Sequence, residues 1–127
     1  MERKMERADI AIIGTGPGGV SAALTAKVRN KNILLIGKKQ MSDKVSKAHQ
    51  IMNYPGLPAV TGADMAKAFE KQLAMMEINI TDSRIGTVYA MGDYFAIQAG
   101  GEVLEAKSVI LACGVVSGKT LPGEEEM

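Results

Sequence analysis

Cysteine is nearly absent from this chain. Cys113 stands alone among 127 residues, which excludes an internal disulfide, a C-x-x-C redox pair and a cysteine-built zinc site within it. Histidine is as scarce: His49 has no carboxylate, cysteine or serine nearby at triad-like or metal-like spacing, so neither catalysis nor metal binding is expected of it. No charge sign dominates. With 15 basic and 14 acidic residues the formal net charge is +1, which argues against nucleic acid as the main partner. No apolar run is long enough for a signal peptide or a membrane span, so the expected compartment is the cytoplasm.

What the chain does have is an ordinary globular composition, 46% hydrophobic with 14 glycines, and a length that fits one domain. Its most informative stretch is Ala8 to Gly19, ADIAIIGTGPGG. The β-branched run Ile10, Ala11, Ile12, Ile13 reads as a strand buried on both faces. From Pro17 the residues Val20, Ala23, Leu24 and Val28 recur at helical spacing, and proline is tolerated in a first turn. Between strand and helix lies Gly14-Thr15-Gly16-Pro17-Gly18-Gly19, a G-x-G-x-x-G pattern. Gly14 suits a tight turn, Gly16 lets a pyrophosphate approach the backbone, and Gly19 lets helix and strand pack closely. The helix N-terminus adds free N–H groups and partial positive charge. The unit therefore predicts a dinucleotide diphosphate over the start of the first helix.

Met1 to Arg7 alternates in charge and reads as a solvated arm. Asn30-Lys31-Asn32 is a polar turn, and Ile33 to Ile36 is a second buried strand that completes a βαβ unit. Such folds place an acid at this end for a ribose hydroxyl, but the residues here are Gly37-Lys38-Lys39. That leaves a 2′-phosphate neutralised by lysine, an adenosine held through backbone groups, or a plain solvated loop. Gln40 to Val60 is a long segment with two prolines in Asn53-Tyr54-Pro55-Gly56-Leu57-Pro58. Thr61-Gly62-Ala63-Asp64 is a capping signal, and Met65, Phe69, Leu73 and Met76 share one face of a second helix, its methionines serving as core filler. A third strand is expected over 78–85. A meander follows, Thr87–Met91, Tyr94–Ala99 and Glu102–Ala106, and then a separate buried strand, 108–113, beside the first. The fold class is three-layer α/β, Rossmann-like, with a parallel sheet ordered third, second, first, last, and a three-stranded antiparallel meander crossing one face.

This arrangement resembles the flavin-binding domain of the thioredoxin reductase family, within the pyridine nucleotide–disulfide oxidoreductases. Gly14 to Gly19 is similar to that family's G-x-G-P-[AG]-G fingerprint, Asn53-Tyr54-Pro55-Gly56 to its N-[WY]-P-G loop, and Thr61-Gly62 to its T-G. Ala112-Cys113-Gly114 stands where the family has A-T-G, and Leu121-Pro122-Gly123-Glu124-Glu125 resembles [IL]-P-G-E-E. The resemblance implies an FAD pyrophosphate surrounded by Gly14, Gly16, Pro17, Gly18 and Gly19, with Gly37 and Lys38 near the adenosine ribose. It puts Asn53 toward the flavin, Arg84 and Ile85 by the adenine, and Ala112, Cys113 and Gly114 beneath the cofactor.

Two departures stand beside these matches. The family's flavin-contacting G-G-Q/A-[LM] segment is replaced by Ser42-Asp43-Lys44-Val45, and Cys113 takes the place of threonine as a small buried residue. The resemblance also implies that residues 8–117 are the first segment of the FAD domain. Residues 118–127 are then a linker toward an absent NADPH domain that would carry the dithiol. The intact enzyme would pass electrons from NADPH or NADH through FAD to a disulfide or similar acceptor, this chain alone being inactive. No catalytic residue and no metal ligand is assigned. The missing part would leave an unpaired edge along 109–112, so a homo-oligomer or a missing-domain partner is expected. Two other readings are a non-catalytic module holding ADP, FAD or an NADP-like ligand through Lys38 and Lys39, and an assembly subunit with a vestigial glycine turn.

Overall fold

A computed structural model describes residues 7–39, 45 and 47–114. The arm up to residue 6, the replaced segment Ser42-Asp43-Lys44, residues 115–117 and the linker 118–127 lie outside the described residues. Strand β1 (Ala8–Ile13) leads into helix α1 (Pro17–Val28), which returns to strand β2 (Ile33–Gly37). Helix α2 (Gly62–Met75) precedes β3 (Ile80–Asp82), and β4 (Ile85–Ala90), β5 (Phe95–Ala99) and β6 (Glu102–Leu111) follow. All six strands form one sheet in the order β3-β2-β1-β6-β5-β4. The first four are parallel neighbours, in the expected order.

Two apolar clusters lie on opposite faces of the parallel strands, as strand alternation requires. Ile12 and Leu35 point toward Val20 and Ala23 of α1 and Met65, Phe69 and Leu73 of α2. Ala11 and Ile36 point the other way, toward Ile97, Ala99 and Leu104 of the meander. The helices and the meander are thus the two outer layers. The stripe on α1 ends early, since Val28 is 69% exposed.

Local chemistry sets the helix limits. Asn30 takes positive φ past α1, and its N–H and that of Lys31 reach back to the carbonyls of Lys27 and Ala26. Helix α2 starts at Thr61, whose hydroxyl accepts from the Asp64 N–H at 3.1 Å. It ends in the same kind of motif, with Glu77 at positive φ and the Ile78 N–H on the Leu73 carbonyl at 2.9 Å. Both ends have the pattern of a Schellman cap.

Two strand expectations need correction. The expected strand 78–85 is divided: Ile78 is buried as part of the α2 cap, and β3 spans only Ile80–Asp82. The Ser83 N–H then folds back onto the Thr81 carbonyl at 2.9 Å, and from Ile85 the chain pairs with β5 instead. Conversely, the third meander strand and the buried strand 108–113 are one. Glu102 to Ala106 pair antiparallel with β5, and Ala106 to Leu111 pair parallel with β1, so Ala106 is shared by both ladders.

Asp9 holds this junction together. Its carboxylate accepts from the Asn32 N–H at 2.8 Å and lies 3.6 Å from the Lys107 ammonium, while its carbonyl accepts from the Ser108 hydroxyl. The Asn32 bond, and secondarily Lys107, holds the Asp9 carboxyl below its ordinary range. Arg7, the one residue of the expected arm among those described, is exposed and yet engaged. Its guanidinium lies 3.7 Å from the centre of the Tyr94 ring and 3.6 Å from Glu105.

Candidate functional site

In a parallel sheet the carboxyl ends of the strands share one edge, and ligands of open α/β sheets gather there. The pairings Ile13 with Leu111, Ile13 with Ile36, and Gly37 with Asp82 put the ends of β1, β6, β2 and β3 at that edge. Gly14, Gly37, Lys38, Arg84 and Ala112 each lie within two residues of those ends. The structure therefore brings most of the expected residues together. Asn53 is the outlier. It is exposed, in a loop closed by the Ile51–Val60 bridge, where Tyr54 packs on Phe69 with ring centres 5.5 Å apart.

The glycines of the turn answer to different demands. Gly14 has φ +122°, and a Cβ there would stand 1.9 Å from the Ala112 carbonyl oxygen. A Cβ on Gly19 would stand 1.8 Å from the Gly14 carbonyl oxygen. Protein packing therefore requires both glycines. Gly16 is different: a Cβ there meets nothing within 4 Å among the described residues. Its φ of −78° and ψ of −171° are open to any residue.

Gly16 is also the N-cap of α1, with Pro17 in the first turn and no acidic side chain there. The N–H groups of Gly18 and Gly19 fall within the first turn, where helix geometry supplies no carbonyl, and the dipole favours an anion. A diphosphate fits this open cradle. The Gly62 of the T-G pair has an equally local reason, because a Cβ would run into the Val45 carbonyl at 1.6 Å.

Thr15 was not singled out by the sequence, which treats it as a free position in the pattern. It is 9% exposed, and its hydroxyl donates to the Lys38 carbonyl at 2.8 Å. A hydroxyl residue followed across the βαβ unit by a glycine at the end of β2 was the available signal. Cys113 is corrected in the other direction. It is exposed rather than buried, its Sγ 3.9 Å from the Ile13 carbonyl oxygen, because it lies past the last paired residue of β6. Arg84 is exposed, and its carbonyl accepts from Gly100.

Beyond the turn, the far half of β6 pairs only with β1 among the described strands. Leu111 is 71% exposed. A groove of about 470 Å³ runs between this strand and α1, lined by Ile10, Ala22, Ala26 and Ile110. Among the described residues no helix is long and apolar enough to cross a membrane, and no group of three His, Cys, Asp or Glu is placed to hold a metal.

Known proteins share this arrangement. The chain is 36% identical over 122 residues to the thioredoxin reductase of Helicobacter pylori, covering 93% of this chain and 39% of that protein. It is 28% identical over 127 residues to a 34.2 kDa protein of the rubredoxin operon in Clostridium pasteurianum, 98% and 41% being covered. Among solved structures, a ferredoxin-flavin thioredoxin reductase of Clostridium acetobutylicum superposes with a TM-score of 0.87 at 45% identity, covering 96% of this chain and 42% of that one. The thioredoxin reductase of Lactococcus lactis superposes with a TM-score of 0.81 at 27% identity. The chain thus spans about two-fifths of the length of the relatives it matches. Residues 8–127 match the pyridine nucleotide-disulphide oxidoreductase family, and with the glycine turn, the sheet order and these likenesses agreeing, the chain belongs to that family.

Proposed function

We propose that this chain is the FAD-binding portion of a thioredoxin reductase-like oxidoreductase whose intact form passes electrons through FAD to a disulfide or a similar acceptor. One observation carries the reading. Of the three glycines in the fingerprint, packing explains Gly14 and Gly19, but among the described residues no packing contact needs a glycine at position 16. The space in front of Gly16, at the N-terminus of α1, is of use to a ligand.

In this reading Gly16, Pro17, Gly18 and Gly19 hold the diphosphate, the Gly37–Lys38 backbone meets the ribose, and Arg84 and Ile85 lie by the adenine. Asn53, Ala112, Cys113 and Gly114 face the flavin side. Bound FAD supplies the redox chemistry, while the chain's residues bind and orient it. Thermal unfolding with and without FAD, ADP and NADP tests this. A ligand that binds only the folded state, at 100 times its Kd, stabilises by about 2.7 kcal/mol, and for a domain of this size that raises Tm by roughly 5–20 °C. FAD and ADP are expected to give this shift. No shift with any of the three would leave the fingerprint as a fold element alone.

A second reading concerns the electron donor. The family resemblance suggests a reduced nicotinamide, but two Clostridium acetobutylicum structures at 45% and 40% identity are ferredoxin-flavin thioredoxin reductases. They are nearer in sequence than the 27% identical Lactococcus lactis enzyme. That favours reduced ferredoxin as donor. With a full-length protein carrying this segment, flavin absorbance should bleach with reduced ferredoxin and persist with NADPH. Rapid bleaching by NADPH would reverse the assignment.

A further inference from the structure

A nucleoside diphosphate must touch two places at once, the glycine turn through its phosphates and the end of β2 through its ribose. Those places belong to segments about 20 residues apart, and their separation is a property of the fold that the ligand has to match. Two contacts hold them together. The Gly14 N–H donates to the Ile36 carbonyl at 2.9 Å, and the Thr15 hydroxyl donates to the Lys38 carbonyl at 2.8 Å. The first is a main-chain bond available to any residue. The second depends on the Thr15 side chain.

Thr15 also fixes the approach distance. A Cβ on Gly37 would stand 2.8 Å from the Thr15 methyl and 3.1 Å from its hydroxyl oxygen, so the threonine takes the space a side chain at position 37 would need. Thr15 is the one polar residue buried among the described residues, and a buried hydroxyl retained in a tight turn calls for a task. Its bond uses one lone pair of the Lys38 carbonyl and fixes the direction of that peptide. This is the stretch of backbone offered to a ribose where no acidic side chain stands.

We infer that Thr15 is a positioning residue that sets the span between the diphosphate turn and the ribose end of β2, and so favours ligands that bridge the two over a diphosphate alone. The inference rests on the nucleotide reading of the site. It makes Thr15 a determinant of selectivity without requiring it to touch the ligand.

The test compares the full chain with Thr15→Val, which keeps the shape but loses the donor, and Thr15→Ser, which keeps the donor. ADP and inorganic pyrophosphate are titrated calorimetrically, and the unliganded Tm of each variant is recorded. Without this bond the Lys38 peptide must be ordered when the ligand binds, which should weaken ADP binding several-fold, up to about tenfold, in Thr15→Val. Pyrophosphate binding should stay at the wild-type level, and Thr15→Ser should recover the preference for ADP. Unchanged ADP binding in Thr15→Val overturns the inference. So does an equal loss of ADP and pyrophosphate, which would mark Thr15 as a general support of the turn. If the wild-type chain binds neither ligand, the nucleotide reading itself fails, and this inference with it.

Discussion

Gly14→Ala should lower the stability of the chain by about 2–6 kcal/mol, seen as a large drop in the urea midpoint. Two costs combine. A non-glycine residue held at φ +122° pays about 1–3 kcal/mol of backbone strain. The new methyl would also sit 1.9 Å from the Ala112 carbonyl oxygen and 2.5 Å from its carbon, an overpacking that costs a further 1–3 kcal/mol or so. Ala112 cannot simply retreat, because its N–H is bonded to the Ile13 carbonyl at 2.8 Å, extending the β1–β6 ladder. Domains of this kind are stable by about 5–15 kcal/mol, so the variant should lose a large part of its stability and unfold at much lower urea. A midpoint displaced by less than the equivalent of about 0.5 kcal/mol would mean that β1 and β6 do not meet the turn this closely.

Gly16→Val should do the opposite. The fold should survive with a change of no more than about 1 kcal/mol, the usual scale for a poorer N-cap residue, since no described residue lies within 4 Å of the added carbon and the backbone there is ordinary. Binding of FAD and ADP should fall steeply. A branched side chain in front of the first turn pushes the diphosphate off the N–H groups, and each hydrogen bond to a charged group is worth about 1.5–3 kcal/mol. One such loss weakens binding by roughly ten- to a hundredfold, and two by far more. Calorimetric titration beside a urea curve separates the two variants: one loses stability, the other the ligand. A Gly16→Val protein that binds FAD like the wild type would move the diphosphate elsewhere.

The contrast shows what a single sequence can reveal. β1, β2 and the parallel order were legible because buried strands are continuous apolar runs and right-handed crossovers leave few arrangements. The division at Ser83 was not, for the chain turns there without glycine or proline, and Ile78 is apolar to cap α2 rather than to start a strand. The union of two strands in β6 was hidden for the converse reason. Lys107 interrupts the apolar pattern, yet it points out to meet Asp9 and breaks nothing.

At the site, the three glycine positions could be named and given separate tasks from their spacing. The exposure of Cys113 and the role of Thr15 could not. Cys113 reads as buried because it follows an apolar strand, and only the ladder shows that its main-chain bonds to β1 end at Ala112. Thr15 depends on the nearness of Gly37 and Lys38, which exists only once β1 and β2 lie side by side.

The place of β6 in the sheet has a consequence for how the chain is made. β1 leaves the ribosome about a hundred residues before its partner on one side, Ala106 to Leu111. At the usual 5–20 residues per second, the apolar strand Ile10 to Ile13 waits roughly 5–20 s with one edge open. Closing so long a loop is slow compared with local helix formation. During synthesis, then, the strand that leads into the glycine turn presents an open apolar edge that a chaperone could cover.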